Sequence, residues 1–530
     1  MENDMENQKI MYDSGNELAA YAAKQINYHV MGYYPITPST QIAENLDVMG
    51  AEGLHDIALI AAEGEHSAAG ICFGASAAGG RVFNATSANG LLYALEQFPV
   101  QSGTRMPMVM NVACRTVSGP LCIKGDHSDV MYLLNTGWII LFADEPQKVY
   151  DFNLLGLKLA EAVRLPVAVA FDGFFTSHQK RKCLVFEDDD TVTRYIGEKL
   201  SCDNPKVSAF AGTGGAAGEL PYASVLDLAH PVSIGSYMNE PDVINNRYQL
   251  HLAMEAARNK LPELFTEYAA LSGRELSLCG AYRHEDAEVL LFVLGSSYHT
   301  AMEAVDRLRQ DGVAAGVITL YVLRPFPAKE LRVLCHNAST ILVADRQDSY
   351  GAGGGNMSLE LKAALSSLPH PPRILSRIYG LGGKDFFVED ALALFKEALS
   401  PDAPAFDYYG VTAGTDASDR ATSDRTDSAG SDAVTAASHP AAFINEDMTS
   451  SASGRADRTI ADQASGTSGK ADQSMAAPAM QPQYFKPVTK EESSPGLTTC
   501  TFDPATGKMK VSGGSVKDTT AMPMRVAPGH

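Results

Sequence analysis

Short apolar runs alternate with helical segments between residues 57 and 173. Five runs of strand length follow one another, namely IALIAAEGE, RVFNATS, MPMVMNVACR, WIILFADE and RLPVAVAFDG. Ala- and Leu-rich stretches of helical character separate them, for example Gln147 to Ala162. Strands that are buried on both faces are continuously apolar, and crossover helices connect parallel strands. The pattern therefore predicts an α/β fold with a parallel sheet and flanking helices.

Two helices are predicted ahead of this sheet. Apolar residues recur at helical spacing from Ser14 to Val30, and Ser14 with Glu17 matches a capping box. In YPITPST, Thr37 is predicted to cap a second helix whose first residue is Pro38. A hydroxyl and free backbone N–H groups at a helix start can bind a carboxylate or a phosphate. An ordinary helix cap is the alternative interpretation.

The alternation resumes at Glu288 and predicts a second, smaller α/β domain. EVLLFVLG, AGVITLYV and TILVAD are predicted strands, while HTAMEAVDRLRQDG and AKELRVLCH are predicted helices. The first domain is predicted over residues 10–260, including a less regular excursion and a connecting helix after residue 185. The second is predicted over residues 270–402.

Composition changes abruptly after the second domain. From Val411 to Gln483 the chain is rich in Ser, Thr, Ala, Asp and Gly, and Phe443 is its one aromatic residue. Such a segment cannot bury enough apolar area to offset the entropy of ordering it. We therefore predict a disordered linker over residues 408–483, followed by a tail over residues 484–530.

Charge and cysteine spacing exclude several classes of function. A net charge of −21 excludes a nucleic-acid partner, because binders of phosphate backbones need a basic face. The acidic, polar start MENDMENQKI and the lack of a long apolar run predict a cytoplasmic protein without a membrane partner. None of the eight cysteines forms a C-x-x-C pair, so no iron–sulfur cluster and no metal site is predicted in this chain.

Two candidate charged sites follow predicted strands. Glu63-Gly64-Glu65 opens the small-residue helix HSAAGICFGASAAGG, whose surface would let a flat ring approach closely. Arg115 ends the strand in NVACR and could bind a substrate carboxylate through two parallel hydrogen bonds. The alternatives are a solvated capping glutamate and an arginine that pairs with a surface acid.

Six motifs occur together in a defined order: YPITPST, the E-x-E helix start, ATSANGLLYALE, NVACR, GDHSD and FDGFFTSH. Together they resemble the first domain of pyruvate:ferredoxin oxidoreductases and of the alpha subunits of related multisubunit 2-oxoacid:acceptor oxidoreductases. The resemblance resumes from Glu288 to Leu399 with VLGSS, LRPFP and YGLGGKD. It implies a thiamine-diphosphate-enzyme pyrimidine-binding domain, followed by a smaller transketolase C-terminal-like α/β domain.

The resemblance also implies roles for individual residues. Glu65 matches the glutamate that hydrogen-bonds a ring nitrogen of thiamine diphosphate and favours the imino tautomer, whose nitrogen takes the thiazolium C2 proton. Pro35 and Ile36 belong to the loop that contacts this cofactor. Thr37 and Arg115 match the residues that hold the substrate carboxylate.

Further acidic and histidine side chains of these motifs are expected to form structural hydrogen bonds and to have no catalytic role. They are Asp126, His127, Asp129, Asp172 and His178. The glycine run from Gly351 to Gly355 lacks the lysine and hydroxyl residue of a phosphate-binding loop, so we predict an ordinary turn there.

No G-D-G motif occurs in the chain, although thiamine-diphosphate enzymes bind the diphosphate through a metal held by that motif. A beta subunit is therefore expected to supply the diphosphate and Mg²⁺ site. Delta and gamma subunits would carry the iron–sulfur clusters, and ferredoxin or flavodoxin would accept the electrons.

The resemblance implies oxidative decarboxylation of pyruvate or a related 2-oxo acid, which forms CO₂ and transfers the acyl group to coenzyme A. Two alternatives remain open. One is a catalytically idle regulatory or scaffolding paralogue. The other is a non-oxidative thiamine-diphosphate decarboxylase or transketolase-like subunit.

The chain ends in MPMRVAPGH. In the family, A-P-G-H or a close variant introduces the start of the thiamine-diphosphate beta chain. Residues 484–530 are therefore expected to include the start of a beta-subunit region, as in an alpha–beta fusion. A chance match in a disordered tail is the alternative.

Overall fold

The computed structural model describes residues 7–199, 234–235, 237–240 and 242–411, together with the backbone of residues 499–503 and 508–512. Residue contacts place the described residues up to Gly410, and the two strands after Gly496, in one compact unit. Most of the predicted linker and tail lies outside the described residues, apart from an antiparallel pair of strands, Thr499–Asp503 and Lys508–Ser512.

Strands and helices alternate through the first 200 residues. The strands are β1 (Gln8–Asp13), β2 (Val30–Tyr33), β3 (Ala58–Ala61), β4 (Val82–Thr86), β5 (Val109–Cys114), β6 (Ile139–Ala143), β7 (Val167–Asp172) and β8 (Arg181–Phe186). The helices are α1 (Gly15–Ile26), α2 (Thr40–Ala51), α3 (Glu65–Ala77), α4 (Ala88–Ala94), α5 (Gln97–Gly103), α6 (Pro146–Val163) and α7 (Asp189–Ile196), with a 3₁₀ helix at Val130–Asn135.

The second half begins with the long helix α8 (Asp242–Ser272). Its strands are β9 (Cys279–Tyr282), β10 (Val289–Phe292), β11 (Ala315–Leu320), β12 (Val322–Arg324), β13 (Thr340–Asp345), β14 (Arg373–Ile378) and β15 (Phe406–Tyr408). Its helices are α9 (Ser297–Gln310), α10 (Ala328–Leu334), α11 (Asn356–Leu365) and α12 (Val388–Leu399), with a 3₁₀ helix at Leu381–Gly383.

The first sheet has seven strands in the order β12-β6-β7-β5-β4-β2-β3. Its six strands from the first half are parallel, and β12 pairs antiparallel with β6 at one edge. The central strands are buried along their whole length, which explains their continuous apolar sequence. The edge strand β3 is largely exposed. The predicted parallel α/β sheet is thus confirmed.

Each face of the first sheet packs into a separate core. Along β7, Val167, Val169 and Phe171 belong to the core that also includes residues of α1, α6 and α8. Ala168 and Ala170 point to the opposite face, because successive strand residues alternate between faces. That second core also contains residues of β10, β11 and β13. The two sheets therefore share one hydrophobic core.

The second sheet has six strands in the order β15-β14-β13-β10-β11-β9, of which β9 is antiparallel to β11. Its strands and helices agree with the predicted second α/β domain. The domain limits at residues 260 and 270 stay predictions, and α8 continues through both positions. The sequence pattern did not predict the β1–β8 pair or the contribution of β12 to the first sheet.

Within the described ranges, none of the helices combines the length and the apolar character of a membrane span.

Candidate active site

The predicted site residues lie at the carboxyl ends of neighbouring parallel strands. The loop with Thr37 follows β2, Glu65 follows β3, and Arg115 directly follows β5. Since β3, β2, β4 and β5 are adjacent in this order, the loops after them meet at one edge of the sheet. This is where open parallel α/β sheets bind ligands.

The loop after β2 differs from its prediction. Helix α2 begins at Thr40 with Ser39 before it, so the prediction of Thr37 as N-cap and Pro38 as first helical residue is wrong. Instead, the N–H groups of Ser39 and Thr40 donate to the Ile36 carbonyl and close a turn ahead of the helix. Thr37 and Pro35 are exposed at the sheet edge, and Ile36 is half-buried.

The side chain of Asn16, at the start of α1, is hydrogen-bonded to this loop. The fully buried Asn16 side chain donates a hydrogen bond of 2.7 Å to the Pro38 carbonyl. The Ser14–Glu17 capping box of that helix is present as predicted. Asn16 was not among the predicted site residues, although its position inside the Ser14–Glu17 capping box could have identified it.

Arg115 and Thr37 are brought together across the edge. The Arg115 guanidinium donates from Nη1 to the Thr37 carbonyl at 2.9 Å and from Nε to the Cys122 carbonyl at 3.1 Å. The Arg115 side chain is buried, with 7% of its surface exposed. Within the described part of the chain, no acidic side chain pairs with it. Its positive charge is thus held by neutral carbonyl groups alone.

Glu63 and Glu65 differ sharply in their surroundings. Glu63 is exposed and accepts a hydrogen bond of 2.5 Å from the Ser67 hydroxyl, which lowers the pKa of Glu63. Glu65 is half-buried at the first position of α3. Its carboxylate has no hydrogen-bond or ionic partner among the described residues. Glu65 is therefore the glutamate that is free to bind a ligand.

Gly90 lies directly against the Glu65 carboxylate. A Cβ atom on Gly90 would be 2.8 Å from the Glu65 Cδ, which is closer than any side chain permits. The residue in this position of α4 must therefore be glycine if Glu65 is to keep its place. Gly90 lies in the motif ATSANGLLYALE but was not among the predicted site residues. A glycine inside an apolar helical run was the signal that could have identified it.

The unpartnered Glu65 carboxylate fits the aminopyrimidine of thiamine diphosphate. A ring nitrogen that carries a proton would donate a hydrogen bond to it. Pro35 and Ile36 could contact this ring from the neighbouring loop.

The acidic and histidine side chains of the GDHSD and FDGFFTSH motifs are hydrogen-bonded, as expected. Asp126 accepts from the Ser128 N–H and hydroxyl, and His178 lies 2.7 Å from the Ser177 hydroxyl. The fully buried Asp129 accepts three backbone N–H groups through its two oxygens. Burial raises the pKa of Asp129 to about 7, against the lowering effect of these hydrogen bonds.

Asp172 joins the two sheets. His127 Nε2 lies 2.5 Å from Asp172 Oδ1, and Oδ2 accepts from the N–H and the hydroxyl of Ser296 at 2.7 and 2.6 Å. Burial would raise the pKa of Asp172, but the His127 charge and hydrogen bond outweigh it, with help from Arg346 and Ser296. The pKa of Asp172 is therefore lowered. Asp172 acts as the negative charge at the start of α9.

One group of potential metal ligands, Asp144, Glu145 and His299, occurs among the described residues. The Lys148 ammonium lies 2.8 Å from Asp144 and already neutralises this carboxylate.

The glycine run after β13 is a turn, as predicted. Asp345 accepts the N–H groups of Met357 and Ser358, so the start of α11 is already capped by a carboxylate.

Two family models match the chain. The model described as "Pyruvate flavodoxin/ferredoxin oxidoreductase, thiamine diP-bdg" matches residues 21–265. The model described as "Pyruvate:ferredoxin oxidoreductase core domain II" matches residues 287–391. The first match includes six strands of the first sheet, and the second match includes β10, β11, β13 and β14 of the second sheet. The region after residue 391 is in neither match.

Curated relatives match over the same region. Pyruvate synthase subunit PorA of Thermotoga maritima is 36% identical over 389 residues, which are 73% of this chain and 94% of the relative. Ketoisovalerate oxidoreductase subunit VorA of Pyrococcus horikoshii is 34% identical over 385 residues, with 72% and 92% covered. The chain belongs to the alpha subunits of the 2-oxoacid:ferredoxin oxidoreductase family.

As a member of this family, the 2-oxoacid:ferredoxin oxidoreductase alpha chain is part of a multi-subunit oxidoreductase and contains its thiamine-diphosphate-binding domain. A solved 2-oxoglutarate:ferredoxin oxidoreductase from Magnetococcus marinus, with 2-oxoglutarate, coenzyme A and succinyl-CoA bound, has a similar fold. The TM-score is 0.55 at 19% identity, and the match covers 74% of this chain and 66% of that chain. The predicted family, fold class and enzyme class are confirmed.

Proposed function

We propose that this alpha chain binds the carboxylate of pyruvate at Arg115 and Thr37, and the aminopyrimidine of thiamine diphosphate at Glu65. The observation that carries the proposal is the buried Arg115 guanidinium, which has no acidic partner among the described residues. A buried charge is costly unless an opposite charge compensates it. The carboxylate of a 2-oxo acid supplies that charge.

The substrate carboxylate has two kinds of donor available at this edge. Arg115 Nη2 has no hydrogen-bond partner in the described ranges, while Nη1 and Nε are fixed by the Thr37 and Cys122 carbonyls. The Thr37 side chain is exposed beside the same guanidinium. The carbonyl contacts hold the guanidinium in one orientation, and the remaining N–H groups and the Thr37 hydroxyl then donate to the carboxylate.

When bound, thiamine diphosphate supplies the electron sink that lets a 2-oxo acid lose CO₂. The task of this chain is to position the reacting groups. The Glu65 carboxylate would accept a hydrogen bond from the protonated ring nitrogen of the cofactor and so favour the imino tautomer, and Gly90 leaves room for that carboxylate. Pro35 and Ile36 pack beside the ring and exclude water from it.

The remaining parts of the enzyme are assigned to partner chains. A beta subunit supplies the diphosphate and Mg²⁺ site, because no G-D-G motif is present here. Delta and gamma subunits carry the iron–sulfur clusters, since the cysteines of this chain are isolated from one another. Ferredoxin or flavodoxin accepts the electrons and coenzyme A accepts the acyl group. The cytoplasmic location stays a prediction.

The assembled complex tests the substrate assignment. Arg115→Ala should lower kcat/KM for pyruvate about 30- to 1000-fold, because a desolvated charged partner is lost. This corresponds to a loss of roughly 2–4 kcal/mol of transition-state stabilisation. The affinity for thiamine diphosphate should stay within about twofold. Arg283→Ala, which removes an exposed partner of Asp306, is the matched control and should have little effect.

The same assay with a panel of 2-oxo acids identifies the substrate. Pyruvate should give the highest kcat/KM, and every 2-oxo acid should suffer in Arg115→Ala. An Arg115→Ala complex with normal kcat/KM for all of them would refute the assignment. Omission of coenzyme A and of ferredoxin distinguishes oxidative decarboxylation from the non-oxidative alternative, and an inactive wild-type complex would favour the idle paralogue.

A further inference from the structure

Asp129 differs from the other side chains at the carboxyl edge of the first sheet, because one of its oxygens accepts hydrogen bonds from the backbone after two neighbouring strands. Oδ2 accepts the N–H of Ala88 at 2.7 Å and the N–H of Arg115 at 2.8 Å. Ala88 is the first residue of α4 and lies where the chain turns from β4 into that helix, and Arg115 begins the turn after the adjacent strand β5. Oδ1 accepts the N–H of Val130 at 2.7 Å, which ties the carboxylate to the start of a 3₁₀ helix.

Both turns lead to side chains of the proposed site. Ala88 is two residues before Gly90, which lies against the Glu65 carboxylate. Arg115 carries the guanidinium that donates to the Thr37 carbonyl. The carboxylate of Asp129 is fully buried and therefore does not contact a ligand itself.

The conformation of Ala88 shows that the turn after β4 needs such support. Its φ angle is +46°, in the left-handed region that residues with a Cβ atom rarely adopt. A conformation of this kind persists only where surrounding contacts hold it. The hydrogen bond from the Ala88 N–H to Asp129 is one contact, and the Ser87 hydroxyl adds another by donating to the Ala113 carbonyl at 2.8 Å.

We propose that Asp129 is a positioning residue. It holds the backbone of the substrate-binding Arg115 and the start of α4, whose Gly90 lies against Glu65, at a fixed distance from each other. This inference rests on the proposed function of Arg115 and Glu65. One carboxylate oxygen that accepts both N–H groups makes the two turns move together. Loss of this acceptor should therefore disturb substrate binding and cofactor activation at the same time.

The test compares Asp129→Asn with Asp126→Asn in the assembled complex. Asparagine has one carbonyl oxygen, so it cannot accept from Val130 and also from the pair Ala88 and Arg115. Asp126 is the matched control in the same motif, since the one residue from which its carboxylate accepts within the described ranges is Ser128. Readouts are KM and kcat for the 2-oxo acid, C2 hydrogen–deuterium exchange of bound thiamine diphosphate, and amide exchange of the Ala88 and Arg115 segments.

Asp129→Asn should raise KM by about tenfold or more, slow C2 exchange by about tenfold, and speed amide exchange in both segments. In Arg115→Ala/Asp129→Asn, KM should be no higher than in Arg115→Ala alone, because Asp129 acts on the substrate only through Arg115. C2 exchange should still be slowed in the double variant. If KM in the double variant rises by the product of the increases in the two single variants, the inference is overturned.

An Asp129→Asn complex that matches Asp126→Asn in KM and C2 exchange would also overturn it. If Asp129→Asn does not assemble, Asp129→Ser retains one acceptor and is judged by the same two outcomes. An unchanged KM in Arg115→Ala would refute the proposed function itself. If KM and C2 exchange are normal in Asp129→Asn while KM is raised in Arg115→Ala, only the proposed role of Asp129 is refuted.

Discussion

At the scale of single residues, Arg115 and Glu65 share a property that a sequence cannot reveal. Each is a charged side chain at the carboxyl edge without an oppositely charged partner among the described residues. Their neighbours are engaged, as Glu63 is by Ser67 and Asp172 by His127. Charged groups that are shielded from water are normally paired, so the two unpaired side chains support the proposed binding site.

Glu65→Gln should slow C2 hydrogen–deuterium exchange of bound thiamine diphosphate by about 100-fold or more, which is typical of lost acid–base assistance. The amide keeps the size of the carboxylate, so folding should be almost unaffected. Glu63→Gln is the matched control, because Glu63 accepts from Ser67 and should leave the exchange rate nearly unchanged. Equal exchange rates in Glu65→Gln and the wild type would exclude Glu65 from this role.

Gly90→Ala should slow the same exchange although every ionisable group is retained. The added Cβ atom would be 2.8 Å from the Glu65 Cδ and would displace the carboxylate. Exchange should fall by at least about tenfold, while the thermal midpoint of unfolding changes by only a few degrees.

Gly74→Ala in α3 is the control for Gly90→Ala. A Cβ atom on Gly74 meets nothing within 4 Å, and alanine favours a helix over glycine by about 1 kcal/mol. This variant should be active and slightly more stable. A Gly90→Ala complex that behaves like Gly74→Ala would contradict the contact between Gly90 and Glu65.

The position of Glu65, Thr37 and Arg115 at one sheet edge could be predicted, because their motifs follow strands and the loops of parallel strands meet at one edge. Their roles in binding stay predictions. Gly90, Asn16 and Asp129 could not be assigned to the site in this way. Their roles depend on a missing Cβ atom, on a bond to the Pro38 carbonyl and on an oxygen shared by two turns. Such contacts join residues that are far apart in sequence.

At the scale of elements, apolar periodicity predicted the central strands and most helices because both faces of the sheet are buried. It failed where backbone contacts decide the structure. Helix α2 begins at Thr40 and not after Thr37, since the Ile36 carbonyl closes a turn first. Strand β12 was assigned to the second domain, yet it pairs with β6 of the first sheet.

The contact between Asp172 and Ser296 predicts a pH-dependent contribution to stability. The folded-state pKa of Asp172 is lowered, below the value of about 3.9 in an unfolded chain. The ionised form therefore stabilises the fold above about pH 4, and this contribution is lost as the pH falls below that value. Asp172→Asn should cost about 3 kcal/mol of unfolding free energy at pH 7, because it breaks a buried pair.

Chemical denaturation of the chain between pH 7 and pH 3 measures this contribution. The difference between the wild type and Asp172→Asn should narrow below about pH 4. Asp306→Asn, which removes a half-exposed pair with Arg283, should cost less than about 1 kcal/mol at every pH. A difference for Asp172→Asn that is independent of pH would contradict the lowered pKa.

At the scale of the whole molecule, the two sheets share a hydrophobic core and the Asp172–Ser296 contact. The second sheet therefore supports the loops that carry the proposed site. The alternation of apolar runs and helical segments predicted two α/β domains, and composition predicted a biased region after residue 407. Neither could reveal a core built from both domains. The residues assigned to cofactor and substrate all lie on one sheet edge, and the chain has no diphosphate-binding motif. We therefore propose that this site is one half of an active site, which a partner subunit completes.

Ferredoxin reduction tests this central claim most directly. The 530-residue chain, its partner subunits, and their mixture are each supplied with pyruvate, coenzyme A, thiamine diphosphate and Mg²⁺. We expect the mixture alone to reduce ferredoxin, and Glu65→Gln in this chain to abolish most of that activity. Robust turnover by the isolated chain, or full activity of the Glu65→Gln mixture, would contradict the account.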